Sequence, residues 1–282
     1  MKYLLVILFL VSKVSLAQIY LPELSSEASL TERVGYTTFN IRYGKPAARE
    51  RKIMGELVPY KKLWRTGAGK CSIIAFDQPV MINNKIIPAG AYALVTIPDE
   101  KEWTVMLNSD TSKIYGDPSE YDVKDEVISF KVVTETTDRY YESLDITLDI
   151  VRYDAVFFLT WEKTQIFFPI QTLSFEKALS EIKKSIQARP NDPETLSQAA
   201  WFYYMNNEDP QQILTWLDKA LTSGDERWIL RQRVDILERM QKYDEAVKST
   251  ERAIAFLRKT KPTDWEESVR GYEERMKRWP KR

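Results

Sequence analysis

From Val34 to Ile170 the apolar residues fall in short runs, rich in β-branched and aromatic side chains and separated by Pro, Gly, Asn and Asp. Such punctuation predicts strands joined by turns. The pattern is clearest in Leu144-Asp145-Ile146-Thr147-Leu148-Asp149-Ile150, where every second residue is apolar, so that one face meets a core and the other water. Asn83-Asn84, between Val80-Met81-Ile82 and Ile86-Ile87, predicts a hairpin turn, because Asn tolerates left-handed backbone angles that β-branched residues do not. Pro88-Ala89-Gly90 breaks the chain before a strand from Tyr92 to Ile97, and Pro98-Asp99-Glu100-Lys101 turns it into a strand from Trp103 to Leu107. Further strands are expected at Val127 to Val133, Ala155 to Trp161 and Gln165 to Ile170. Nine or ten short strands without helices between them predict an antiparallel β-sandwich or a partly open barrel over residues 34–170, with residues 18–33 as a lead-in segment.

Near Leu173 the period lengthens. Phe175, Ala178, Leu179, Ile182 and Ile186 recur three or four apart, with Ser174 placed to cap the helix they imply. Pro190-Asn191-Asp192-Pro193 is a stop followed by a start, and further helices are predicted from Pro193 to Met205, Pro210 to Leu221, Asp225 to Met240, Tyr243 to Leu257 and Thr263 to Lys277. Short connections make neighbouring helices antiparallel. Phe175-Glu176-Lys177-Ala178-Leu179 and Tyr243-Asp244-Glu245-Ala246-Val247 lie 68 residues apart, twice the roughly 34-residue period of tetratricopeptide repeats. Ala178, Ala246 and Ala253 match that family's small-residue positions, and Pro190 its inter-repeat proline. Residues 171–282 thus resemble a degenerate tetratricopeptide-like array, with generic helical hairpins as the alternative.

Length and composition sharpen this picture. At 282 residues the chain exceeds one ordinary hydrophobic core, which favours the two domains that the change of period marks. The formal charge is zero and the basic residues alternate with acidic ones, which gives no support for a nucleic-acid partner. The sequence contains no histidine, so Ser-His-Asp and Cys-His catalysis and His-ligated metals are excluded. One cysteine, Cys71, forms no intrachain disulfide, and its strand-like surroundings favour a small buried hydrophobe over a reactive thiol. Met1-Lys2, the apolar run from Tyr3 to Val11 and Val14-Ser15-Leu16-Ala17 read as a signal peptide over residues 1–17, cleaved after Ala17. The apolar run is too short to span a bilayer and no later segment is long enough, so no membrane span is expected and the address is periplasmic or envelope-associated.

The β region carries a denser set of distinctive residues. Tyr43-Gly44-Lys45-Pro46, the run from Arg49 to Tyr60 and Leu63-Trp64-Arg65-Thr66-Gly67-Ala68 resemble the bacterial family called domain of unknown function 2911, DUF2911. Pro88-Ala89-Gly90-Ala91-Tyr92 and the stretch from Ile97 to Val105 continue the match, so that it extends from about Leu24 to Ile170. The resemblance implies an exported β domain typical of Bacteroidetes-type bacteria, and it brings no activity, substrate or catalytic residues with it. Family members often follow the Trp-Arg-Thr-Gly-Ala segment with Asn and then Glu, where this chain has Gly69 and Lys70.

The best local candidate for a ligand site is Arg42, Lys45, Arg49, Arg51, Tyr60, Trp64 and Arg65, because guanidinium groups near exposed backbone suit carboxylate, phosphate or sulfated sugar and aromatic faces suit a sugar ring or peptide side chain. The competing reading places Tyr60 and Trp64 in the core, pairs Arg65 internally and leaves Arg49 to Lys52 as a solvated loop. Carboxylates at Asp99, Glu100, Glu102, Asp117, Glu120 and Asp122 keep a hydrolase of glycans or esters open as an alternative, and Asp117 to Asp122 lacks the layout of an EF-hand. Trp201-Phe202-Tyr203-Tyr204 reads as packing between helices, and Arg275 to Arg282 as a solvated basic end. The leading expectation is an exported binding or scaffold protein without cofactor or metal. Its β domain would take an anionic or carbohydrate ligand and its helices a protein partner; a purely structural module is the further alternative.

Overall fold

The computed structural model describes residue 22 and residues 24–280; the segment read as a signal peptide lies outside the described residues. The chain divides into two compact units that part between Ser174 and Phe175. Among the described residues no helix is long and apolar enough to cross a membrane.

The first unit begins with β1 (Ser26–Val34), β2 (Thr37–Lys45), β3 (Ser72–Phe76), β4 (Val80–Ile82), β5 (Lys85–Ile87), β6 (Gly90–Ile97), β7 (Glu102–Asn108) and β8 (Glu126–Val133). Six of these form one antiparallel sheet in the order β1-β2-β3-β6-β7-β8, and β4 and β5 make a separate hairpin. The two long strands β9 (Glu135–Val151) and β10 (Asp154–Ile170) pair with each other. Their alternate residues Leu144, Ile146, Phe157, Leu159, Trp161 and Phe168 share one buried core with Phe39, Ile41, Ile74, Leu94 and Trp103 of the large sheet. The result is a sheet packed on a hairpin, and the strand order does not close into a barrel.

The turn at Asn83-Asn84 forms as expected, with φ of 46° and 61°, both left-handed. Two details differ from the pattern along the chain. The sheet starts at Ser26, inside the segment read as a lead-in: β1 pairs along its whole length with β2, yet as an edge strand it buries only Val34 fully, with exposed Glu27, Ser29 and Thr31 alternating with half-buried Ala28 and Leu30. The strands expected at Ala155 to Trp161 and Gln165 to Ile170 are one continuous β10. The polar interruption at Glu162-Lys163-Thr164 is a bulge in the pairing, with Glu162 at φ 53°, which lets the strand bend over the core without ending.

The second unit is helical: α1 (Ser174–Ala188), α2 (Pro193–Met205), α3 (Pro210–Ala220), α4 (Arg227–Arg239), α5 (Tyr243–Thr260) and α6 (Trp265–Arg278). The stop-start signals act as caps. Asp192 accepts from the Thr195 N–H at 2.9 Å and Asp209 from the Gln211 N–H at 2.9 Å, each just before a proline in the first turn. Ser174, the last residue of the first unit, spends its hydroxyl within that unit, accepting the backbone N–H of Tyr36 at 2.9 Å. Ala200, Ala220, Ala246 and Ala253 are buried beside Leu196, Leu217, Leu230 and Leu237, so small residues set the approach of the helices. The four aromatics of α2 divide their contacts: Phe202 stacks on Phe175, Tyr203 meets Trp216 edge-on, and Trp201 packs on Tyr204 and Trp228.

Candidate functional site

The connection from β2 to β3 runs through residues 46–71 with no strand of its own, and most of the candidate ligand residues lie on it or at its start. Its course is pinned by buried Ile53, Met54 and Val58, and by Trp64, which exchanges backbone hydrogen bonds with Thr96 at 2.7 and 2.9 Å. The Trp64 ring stacks on Trp161 at 6.1 Å and meets Trp103 edge-on at 5.9 Å, and Tyr60 lies against the backbone of Gly55. Both aromatics therefore serve packing.

The cations of this segment separate. Lys45 reaches Asp145 of β9 at 2.6 Å, and that hydrogen bond raises the lysine pKa. Arg51 donates to the carbonyls of Ala48 and Ala47 at 2.9 and 2.8 Å, and Arg49 to the carbonyl of Leu24, so these two exposed side chains brace backbone. Arg65 is half-buried with Nε enclosed and unpartnered among the described residues; its guanidinium lies beside Gly116 on the β7–β8 connection. Of the seven residues, Arg42 is the one that opens onto a cleft, on the outward face of β2.

That cleft has a volume of about 1290 Å³. Glu27 and Ser29 of β1 and Arg42 form one wall, Gly69 and Lys70 another, and Thr111 to Ile114 of the β7–β8 connection a third. Arg42 and Lys70 are exposed and have no ion-pair partner among the described residues. Lys113 is 3.4 Å from Asp110. Arg49 bonds to Leu24, which forms part of the rim. Gly69 sits at φ +69° with open space around its Cβ direction, a backbone state that glycine and asparagine accept most readily. Beside it Lys70 adds a positive charge to the cleft wall. The grouping of Arg42, Lys70 and Lys113 was not readable from the sequence, because the three are far apart and only the sheet order and two loops bring them together.

Cys71 lines the cleft floor but is buried, and burial pushes its thiol up to about 12. Iodoacetamide at about pH 8 should therefore leave the native protein unmodified while labelling the urea-unfolded chain fully, since the thiolate is the reactive form. Intact mass after quenching reads the outcome directly.

Five of the six carboxylates considered for hydrolysis are engaged in local structure, and Glu100 is exposed. Asp117 and Asp122 cap 3-10 turns by accepting from Ser119 and Lys124 N–H groups at 2.8 and 2.9 Å, and Glu120 accepts from the Tyr115 N–H at 2.8 Å. Hydrogen bonding from Ser119 lowers the Asp117 pKa, the opposite of what a general acid requires. Glu102 pairs with Lys131 at 3.4 Å and Asp99 with Lys61 at 4.0 Å. Among the described residues no group of three or more Cys, Asp or Glu is placed to hold a metal ion.

A family model described as protein of unknown function (DUF2911) matches residues 25–170, which lie within the β unit. No curated protein and no solved structure matches the chain.

Proposed function

The chain belongs to the DUF2911 family, and we propose that it is an exported binding protein of the bacterial envelope, whose β unit takes an anionic or carbohydrate ligand in the cleft and whose helical unit contacts a protein partner. The observation that carries this reading is the presence of Arg42 and Lys70 in one open cleft, both without an ion-pair partner among the described residues, in a lining that also holds the hydroxyls of Ser29 and Thr111. A guanidinium and an ammonium offer many donors and no acceptor, so they suit the carboxylate, phosphate or sulfate of an acidic sugar, and the hydroxyls suit its ring oxygens. Residues 1–17 support export. For the helices, the support is the 68-residue spacing of related segments, the buried alanines of a tetratricopeptide-like array, and the exposed pair Trp201 and Trp228 with rings 5.1 Å apart.

Titration calorimetry of the mature protein against acidic and neutral oligosaccharides tests the cleft. Binding to acidic members of the panel is expected, weakening with salt, and the double variant Arg42→Glu and Lys70→Glu should lose about tenfold or more in affinity with folding intact. A panel that does not bind at all, or binding that survives the double charge reversal, would overturn the assignment.

A further inference from the structure

The helical unit contains a second, smaller hollow of about 240 Å³ between α4 and α6, lined by Arg227, Arg231, Ser268, Gly271, Tyr272 and Arg275. We propose that it binds a tetrahedral oxyanion, the phosphate or sulfate group of a small ligand, held by Arg231, Arg227 and the Tyr272 hydroxyl over the bare backbone of Gly271. This goes beyond the cleft of the β unit and does not depend on it.

The charges are arranged in two layers. The lining presents three guanidinium groups and no carboxylate, while the acids that pair with them stand behind. Asp264 receives the bidentate hydrogen bonds of Arg227 at 2.8 and 2.5 Å, and Arg275 reaches Asp235 at 2.6 Å and Glu238 through Nε at 2.8 Å. Trp279 fixes Glu238 from the far side, donating at 2.5 Å. These pairs account for Arg227 and Arg275 as parts of the fold; Arg275, 25 % exposed and engaged, departs from the solvated end read for this stretch, whereas Lys277 and Arg278 are exposed as that reading expects and Lys281 and Arg282 lie outside the described residues. The pairs do not account for Arg231. Its ion pair with Asp235 is long, Nε to Oδ2 3.9 Å and outside hydrogen-bond range, and Asp235 is already bonded to Arg275; the Arg231 guanidinium lies 6.0 Å from the Trp228 ring centroid and makes no hydrogen bond among the described residues.

Two further features belong to a site rather than to packing. Tyr272 is half-buried beside all three arginines, yet its hydroxyl has no hydrogen-bond partner among the described residues. Burial and the neighbouring Asp235 raise its pKa, which keeps it a neutral donor. Gly271 stands within α6, where glycine is the least favourable residue after proline, and a Cβ there would meet nothing within 4 Å. Packing therefore does not require the glycine; its consequence is a floor on which a ligand can approach the helix backbone. Donors that converge from several sides also decide the ligand shape. One guanidinium satisfies the two oxygens of a carboxylate, whereas Arg231, Arg227 and Tyr272 together suit the three free oxygens of a phosphate or sulfate ester.

The test uses the full mature chain and three probes at matched ionic strength: inorganic phosphate, sulfate and acetate. Nitrogen-15 chemical shifts of the Arg231 side chain and of the Gly271 amide should move saturably with phosphate or sulfate and much less with acetate. Arg231→Gln should keep the melting temperature of the wild type in chloride buffer and abolish the saturable shift. Gly271→Ala should raise the melting temperature while cutting affinity about tenfold, an opposite movement of stability and binding that a purely structural role does not produce. The proposal is overturned if neither phosphate nor sulfate shifts these signals saturably, if acetate does so equally, or if the saturable response persists in Arg231→Gln. Whether phosphate or sulfate binds the more tightly identifies the ester, and either ranking supports the site.

Discussion

Replacing Gly44 with alanine should destabilise the β unit by about 3 kcal/mol or more and deform the cleft, the largest effect expected of any single methyl group in this chain. Gly44 is in β2 with an ordinary strand conformation, so the requirement for glycine is not one of backbone angle. It is one of space: a Cβ would stand 1.9 Å from the carbonyl oxygen and 2.7 Å from the carbonyl carbon of Ala68. Both are backbone atoms of the loop that continues into Gly69 and Lys70, and the Ala68 N–H donates to the Gly44 carbonyl at 3.3 Å. A flexible side chain would swing away, but here the loop itself must move, and it takes Lys70 with it. Urea denaturation followed by far-ultraviolet circular dichroism measures the stability loss. Loss of ligand affinity in conditions where the variant is still folded measures the displacement of the rim. A midpoint within error of the wild type would show that the loop is free to retreat and that Gly44 does not define the cleft wall.

Trp161→Ala should cost about 4 kcal/mol. The indole is 1 % exposed, stacks on Trp64, and donates from Nε1 to the Glu142 carbonyl at 3.3 Å, so truncation removes area, leaves a cavity and loses a hydrogen bond together, although the carbonyl keeps the Ala48 N–H at 2.7 Å. Trp161 also joins β10 to the 46–71 connection, because Trp64 is the residue of that loop seated on it. The expected consequence is therefore regional: faster hydrogen exchange at Trp64 and Thr96, which share backbone hydrogen bonds, as well as a lower urea midpoint. Protection unchanged at those amides would mean that Trp103 alone suffices to seat the loop.

These two sites show how differently the parts of the molecule were legible. Helices were readable almost to the residue, because their signals are local: a proline and a capping aspartate before Thr195 and Gln211, and apolar residues three or four apart behind them. Strands were readable where alternation was strong, as in β9, and not where an edge or a bulge weakened it, as in β1 and at Glu162. The candidate ligand residues were chosen by proximity in sequence, and the structure spreads them over separate surroundings, with Arg42 the one of the seven that lines the cleft. Arg49 and Arg51 are exposed but hydrogen-bonded to nearby carbonyls, Arg49 to that of Leu24 and Arg51 to those of Ala47 and Ala48, which fixes where their guanidinium groups lie.

Local chemistry alone thus determined that the chain has a β part and a helical part, where the period changes, and that imidazole and disulfide chemistry are absent. Those properties depend on residues within a turn or two of one another, or on composition. Only the tertiary structure decided that Arg42 shares a cleft with Lys70 and Lys113, that Gly44 admits no side chain, and that Arg231, Gly271 and Tyr272 surround one hollow. Each is a meeting of residues distant along the chain, set by strand order and helix packing, and no periodicity in a sequence encodes which distant face a side chain will meet.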